Sequence, residues 1–186
     1  MKKTKQLAFG AMIMAIILLM ALVPQLGYIQ INLVAITIIH IPVLIGAMTF
    51  KNKNLALIAG TTFGISSWLV AMFRPATPTD LIFQNPLVSI LPRILFALLA
   101  YWLYKQLAGK MKSNYLAILI SVIISTLFHT VSVVSLMYLF GQHIFTGSVM
   151  TLLIGVISVN GWIEIVLAGI VVPPIVKVLE KTIRIS

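Results

Sequence analysis

Five polar residues stand inside long apolar runs of this sequence: His40, Arg93, His129, Asn160 and Glu164. A charge in hydrocarbon costs at least about 2.5–3.5 kcal/mol on insertion scales, so such residues pair with one another or serve a site. The planar fork of an arginine suits a carboxylate. Histidine and asparagine side chains can hydrogen-bond hydroxyls and amides, and a histidine or glutamate could also relay protons, as in a stand-alone proton-coupled carrier. Hydrolytic chemistry is poorly supported. There is no Gly-x-Ser-x-Gly and no His-Glu-x-x-His, and nothing completes an oxyanion site around Ser125 and His129, one helical turn apart. Three acidic residues cannot supply a carboxylate cluster for metal-dependent phosphoryl transfer. The chain has no cysteine, hence no disulfide or thiolate metal site, and no Gly-rich phosphate loop for ATP. Neither an enzyme nor a resident cofactor is expected.

What must position these residues follows from composition. Of 186 residues, 61% are hydrophobic and 9% charged, with a mean hydropathy of +1.13. A soluble domain carries about 25% charged residues. The chain therefore reads as an all-α integral membrane protein, a single domain of six spans at 7–23, 33–50, 55–73, 86–104, 114–140 and 160–181. No small-x-small cleavage site precedes Pro24, so the first span is expected to remain. The last apolar region, 148–177, would be about 45 Å long as one helix, too long for one upright crossing of about 30 Å. A break is expected at Asn160-Gly161, with Asn160 as N-cap and residues 146–159 as an outer lid or re-entrant segment.

The charges orient the spans. Of 13 basic residues giving a net charge of +10, Lys2, Lys3, Lys5, Lys51, Lys53, Lys105, Lys110, Lys112, Lys177, Lys181 and Arg184 fall on one side of a six-span arrangement. The positive-inside rule makes that side, with both termini, cytoplasmic. The basic balance thus records topology and not a nucleic-acid partner. The outer connections hold Arg74, Asp80 and recognition-type residues: Tyr28, Gln30 and Asn32, and Gln142-His143. Arg93 and His40 lie about 10 Å, and His129 about 16 Å, from the outer ends of their spans. Asn160 and Glu164 fall in the first turns of the sixth. All five belong to the outer half, and the inner half has no comparable set. This layering predicts a polar pocket opening outward. Arg93 either pairs with Glu164 or meets an anionic substrate, and Trp162 either lines the pocket or sits in the aromatic belt. Ala8, Ala11 and Ala15 make a smooth face on the first span, and Ala56, Gly60 and Gly64 a stripe on the third. Such faces permit close helix approach, and the first could receive a partner.

These features together resemble the substrate-binding S component of energy-coupling factor (ECF) vitamin transporters, over nearly the whole chain. Ala11-x-x-x-Ala15 is similar to the family's first-helix alanine motif. The run from Ile31-Asn32-Leu33 through Thr37-Ile38-Ile39-His40-Ile41-Pro42 to Ala47 is similar to its first loop and second helix. Gly60 and Gly64 fit the third helix, Asn85-Pro86-Leu87-Val88-Ser89-Ile90-Leu91-Pro92-Arg93 the start of the fourth, and Asn160 with Glu164 the sixth. The turn Lys51-Asn52-Lys53-Asn54 departs from a frequent Gly-Pro. The resemblance implies vitamin capture at the bacterial plasma membrane. It also implies docking of Ala8, Ala11 and Ala15 on a transmembrane coupling subunit that works with two cytoplasmic ATPase subunits. The Arg93 region looks most like pantothenate-type members, with Asn160, His129, His40, Glu164, Gln84, Asn85, Asn32, Tyr28 and Trp162 as further candidate site residues. Pyridoxine, hydroxymethylpyrimidine and folate are the alternatives within the family. The first two lack a carboxylate, which would leave Arg93 to Glu164.

Overall fold

The computed structural model describes residues 2–31, 34–75, 80–142 and 147–185. The described residues form helices and one pair of strands, joined by short turns. In order, the elements are α1 (Lys2–Leu22), α2 (Pro24–Gly27), β1 (Tyr28–Ile31), β2 (Val34–Thr37), α3 (His40–Thr49), α4 (Lys53–Phe73), α5 (Asp80–Phe83), α6 (Pro86–Ser89), α7 (Leu91–Ala108), α8 (Asn114–Gly141) and α9 (Gly147–Ile185). Among the described residues, five helical segments are long and apolar enough to cross a membrane: Lys3–Leu22, Lys53–Phe73, Pro86–Ala108, Asn114–Gly141 and Ser158–Thr182. Local rules set several starts. The side chains of Asn52, Asn85 and Ser113 accept from the backbone N–H groups of Asn54, Leu87 and Leu116, supplying acceptors that a helix N-terminus lacks. Pro86 and Pro92 stand in first turns, where a missing N–H costs nothing.

Short α3 is the centre of the bundle. Nine of its ten residues are buried, and it packs against α1, α4, α7 and α9. A helix enclosed on every side must be apolar all round, and the run from Ile41 to Met48 meets that demand. Its Val43, Leu44 and Met48 join Ile17, Phe63, Phe96, Tyr104, Ile118 and Val172 in one hydrophobic core.

Three sequence expectations change. The second span, expected as a helix over 33–50, is a strand up to Thr37 and a helix only from His40 to Thr49. The strands pair antiparallel, Tyr28 opposite Thr37 and Ile31 opposite Val34. Ile29, Ile31, Val34 and Ile36 are β-branched, a type that fits a pleated surface better than a helix. The fourth span is interrupted at Ile90, where α6 gives way to α7, and it continues to Ala108. The sixth has no break at Asn160-Gly161: α9 is one helix from Gly147 to Ile185, so Asn160 caps nothing and the segment before it is helical. Gly161 is a packing contact. A Cβ there would lie 2.6 Å from Thr130 Cγ2 and Oγ1 on α8, and close packing of that kind outweighs the weak helix propensity of glycine. Residues 143–146 lie outside the described residues.

The lysine-rich end also holds a polar set that the sequence reading did not find. Glu180 is 8% exposed. Tyr104 Oη donates to its Oε1 at 2.7 Å and Asn114 Nδ2 to its Oε2 at 2.8 Å. Lys51 Nζ is 3.9 Å from Oε1 and 4.8 Å from the centre of the Tyr104 ring. Asn52 Nδ2 donates to Gln6 Oε1 at 2.9 Å. These contacts gather the start of α1, the α3–α4 turn, the α7–α8 turn and the end of α9 at one end of the bundle. Tyr104→Phe removes a buried hydrogen bond to a carboxylate, and thermal unfolding in detergent should register a loss of about 1.5–3 kcal/mol.

Candidate functional site

At the opposite level of the bundle, four helices each present polar residues to one layer. His40 opens α3, Arg93 lies in the first turn of α7, His129 lies in the second half of α8, and Asn160 and Glu164 stand one turn apart on α9. All five are at least nine-tenths buried. His40 meets the Glu164 carbonyl, and Arg93 and His129 share the Phe63 ring, so these candidates come together in two neighbouring pairs.

Arg93 is held in a fixed pose. Its Nη1 donates to the Val88 carbonyl at 2.8 Å, and its Cζ sits 4.9 Å from the ring centre of Phe83 and 5.6 Å from that of Phe63. A guanidinium is weakly hydrated and attracted to aromatic faces, so these rings lower the cost of keeping it in an apolar layer. The Ser89 hydroxyl donates to the Phe83 carbonyl and steadies that ring's segment. Gly60 and Gly64 let α4 press against the start of α7. A Cβ at Gly60 would come within 2.8 Å of the Arg93 carbonyl oxygen, and one at Gly64 within 2.8 Å of Ile90 Cα. The small-residue stripe of the third span therefore sets the depth at which Arg93 is presented.

Glu164 and the histidines complete the layer. Thr37 N–H donates to Glu164 Oε1 at 3.0 Å, and His40 Nε2 lies 3.3 Å from the Glu164 carbonyl oxygen. The His129 ring packs 4.9 Å from Phe96 and 6.1 Å from Phe63, centre to centre. His40 Nδ1, His129 Nε2 and Thr126 Oγ1 are buried with no hydrogen-bond partner among the described residues. Buried polar atoms are nearly always paired, so these three are atoms with hydrogen-bonding capacity to offer a ligand. No group of three or more metal-ligating side chains occurs among the described residues.

Other sequence candidates stand elsewhere. Gln84 Nε2 donates to the Ala71 carbonyl at 3.2 Å and the Gln84 carbonyl accepts from Trp68 Nε1 at 2.9 Å, so Gln84 ties the end of α4 to the α5–α6 connection. Asn85 caps α6. Trp162 is 66% exposed on the outside of α9. Ser125 donates to the Ser121 carbonyl on its own helix. Tyr28 begins β1, and Asn32 lies outside the described residues. Ala8, Ala11 and Ala15 are exposed on α1. Sequence reasoning missed Phe63, Phe83, Phe96 and Thr37, because an apolar ring or a backbone N–H carries no sign of its distant partner. A cavity of about 450 Å³ lies between α1, the start of α3 and the far part of α9. Its lining, including Met12, Ile13, Ile16, Ile41, Pro42 and Ile45, is apolar, so it offers nothing to orient a polar solute.

The profile of one protein family, "ECF transporter, substrate-specific component", matches residues 5–176. The chain is also similar to a "Pantothenate transporter PanT" of Leuconostoc mesenteroides, with 32% identity over 95% of this chain and 93% of the relative. It is similar to a "Pantothenic acid transporter PanT" of Lactococcus lactis, with 28% identity over 78% of each chain.

The close α4–α7 approach is open to test. Gly64→Val should force Ile90 away and lower stability by about 1–3 kcal/mol in thermal unfolding. The exposed neighbour change Ile65→Leu should stay within about 0.5 kcal/mol.

Proposed function

Because the chain belongs to the substrate-specific components of ECF transporters, we propose that it captures pantothenate for uptake by an ECF module. The family makes it a transporter subunit and not an enzyme, and five membrane-capable helices with bacterial relatives make it a multi-pass protein of the bacterial plasma membrane. We further propose that the short α3 and its hairpin act as the second of six membrane elements, with both termini cytoplasmic.

The observation that carries the substrate reading is Arg93, buried and clamped between Phe63 and Phe83 with one nitrogen on the Val88 carbonyl. A fixed guanidinium in a layer shielded from water favours a single carboxylate, the charged group of pantothenate. The names of the two relatives support the same vitamin. In this reading His129, His40 and Asn160 offer hydrogen bonds to the vitamin's hydroxyls and amide, and Glu164 borders them. The test is pantothenate binding by the purified chain in detergent, without ATP or an ion gradient. Arg93→Ala should weaken it about ten- to a hundredfold, the scale of a hydrogen bond between charged groups. Unchanged affinity in isothermal titration would sink the carboxylate assignment.

Transport needs partners in this reading: a transmembrane coupling subunit and two cytoplasmic ATPase subunits. The exposed Ala8, Ala11 and Ala15 on α1 are the proposed docking face, since small side chains let a second helix approach closely. Ala11→Trp should leave pantothenate binding intact and abolish uptake in vesicles that contain the whole module. Loss of binding in folded protein would refute that separation of roles.

A further inference from the structure

The hydrogen bond between Thr37 and Glu164 joins residues 127 positions apart, and it has a specific place in the hairpin. Ile38 N–H donates to the Gly27 carbonyl at 3.0 Å, across the ladder toward β1. Successive N–H groups along an extended strand point to opposite edges, so Thr37 N–H points away from β1, out of the hairpin's free edge. A half-buried edge donor is left without a ladder partner and must find an acceptor elsewhere. The Glu164 carboxylate is that acceptor. The Glu164 backbone carbonyl meets His40 Nε2, only three residues further along the chain. One residue of α9 therefore fastens both the end of the hairpin and the start of α3, and β2 packs along α9 at this point.

We infer that Glu164 is a positioning residue: its carboxylate latches the β1–β2 hairpin to α9 beside the polar layer, and it acts on the bound vitamin through Thr37 and not by contact. This deepens the proposed pantothenate site and rests on that reading only for the identity of the ligand. The latch needs an acceptor atom at Glu164 and not its negative charge. A charge partner of Arg93 would need the charge. Glutamine keeps the acceptor and drops the charge, whereas alanine drops both.

The test is hydrogen–deuterium exchange of the ligand-free protein, read over hairpin residues 34–38. Glu164→Ala should speed exchange there about tenfold, the scale of one hydrogen bond to a charged group. Glu164→Gln should recover most of the protection, to within about threefold of the unmodified chain, because its neutral oxygen still accepts from Thr37, though more weakly than a charged one. Pantothenate dissociation should follow the same order, fast in Glu164→Ala and slow in Glu164→Gln. Should Glu164→Ala not fold, Thr37→Pro removes the donor without touching the carboxylate and should speed exchange of the same segment. Hairpin exchange unchanged by Glu164→Ala or by Thr37→Pro overturns the latch, as does a glutamine variant as fast as the alanine one. If pantothenate does not bind while hairpin exchange keeps the expected order, the latch stands and the substrate reading fails.

Discussion

Ionisable side chains at membrane depth must be satisfied without water, and that requirement organises the molecule. A desolvated charge left uncompensated costs several kcal/mol. Each one in the layer has recruited partners from a different element. Arg93 of α7 takes a carbonyl from α6 and ring faces from α4 and α5. Glu164 of α9 takes a backbone donor from β2. His129 of α8 is packed by rings from α4 and α7. The polar layer is therefore also the level at which the elements are pinned to one another. Recognition and architecture share the same residues, and the glycines of α4 serve both by letting α7 come close.

The same requirement explains the short central helix. The chain spends Tyr28–Ile31 and Val34–Thr37 on two paired strands whose facing backbone groups satisfy each other, leaving α3 only about 15 Å long. A helix half as long as the bilayer is thick can still be wholly enclosed, because four long helices, α1, α4, α7 and α9, shield it. Its burial on every side then makes it a fixed floor from which His40 rises into the layer.

The five long helices were legible in the sequence because each is a long, mainly apolar run flanked by lysines or turn residues. The burial of His40, Arg93, His129, Asn160 and Glu164 was legible because each is a polar residue inside an apolar run. The hairpin was not. Tyr28-Ile29-Gln30-Ile31 alternates, but hydropathy sums apolar residues without regard to period, and a short apolar run fits strand and helix alike. The continuity of α9 was hidden for a different reason. Asn-Gly is a turn signal by local propensity, and only the Thr130 side chain opposite Gly161 reveals it as a packing contact. The Glu180 set went unseen because Lys51, Tyr104, Asn114 and Glu180 are each ordinary residues for the edge of a membrane, and nothing in their spacing says that they meet.

Helix α9 links the two polar sets. Glu164 and Glu180 stand about 24 Å apart along it, and each is fastened to other elements by its carboxylate. Between them lie Pro173 and Pro174, which cannot donate to the carbonyls of Gly169 and Ile170. Two consecutive helical hydrogen bonds are thus missing midway between two anchors. Buried Ala168, Val172 and Val176 keep this stretch packed on the core, while Ile170, Pro174 and Val178 face outward. A helix bends where its backbone bonds are absent. Strain between the polar layer and the lysine-rich end would therefore be taken up at the proline pair, with both carboxylate anchors undisturbed.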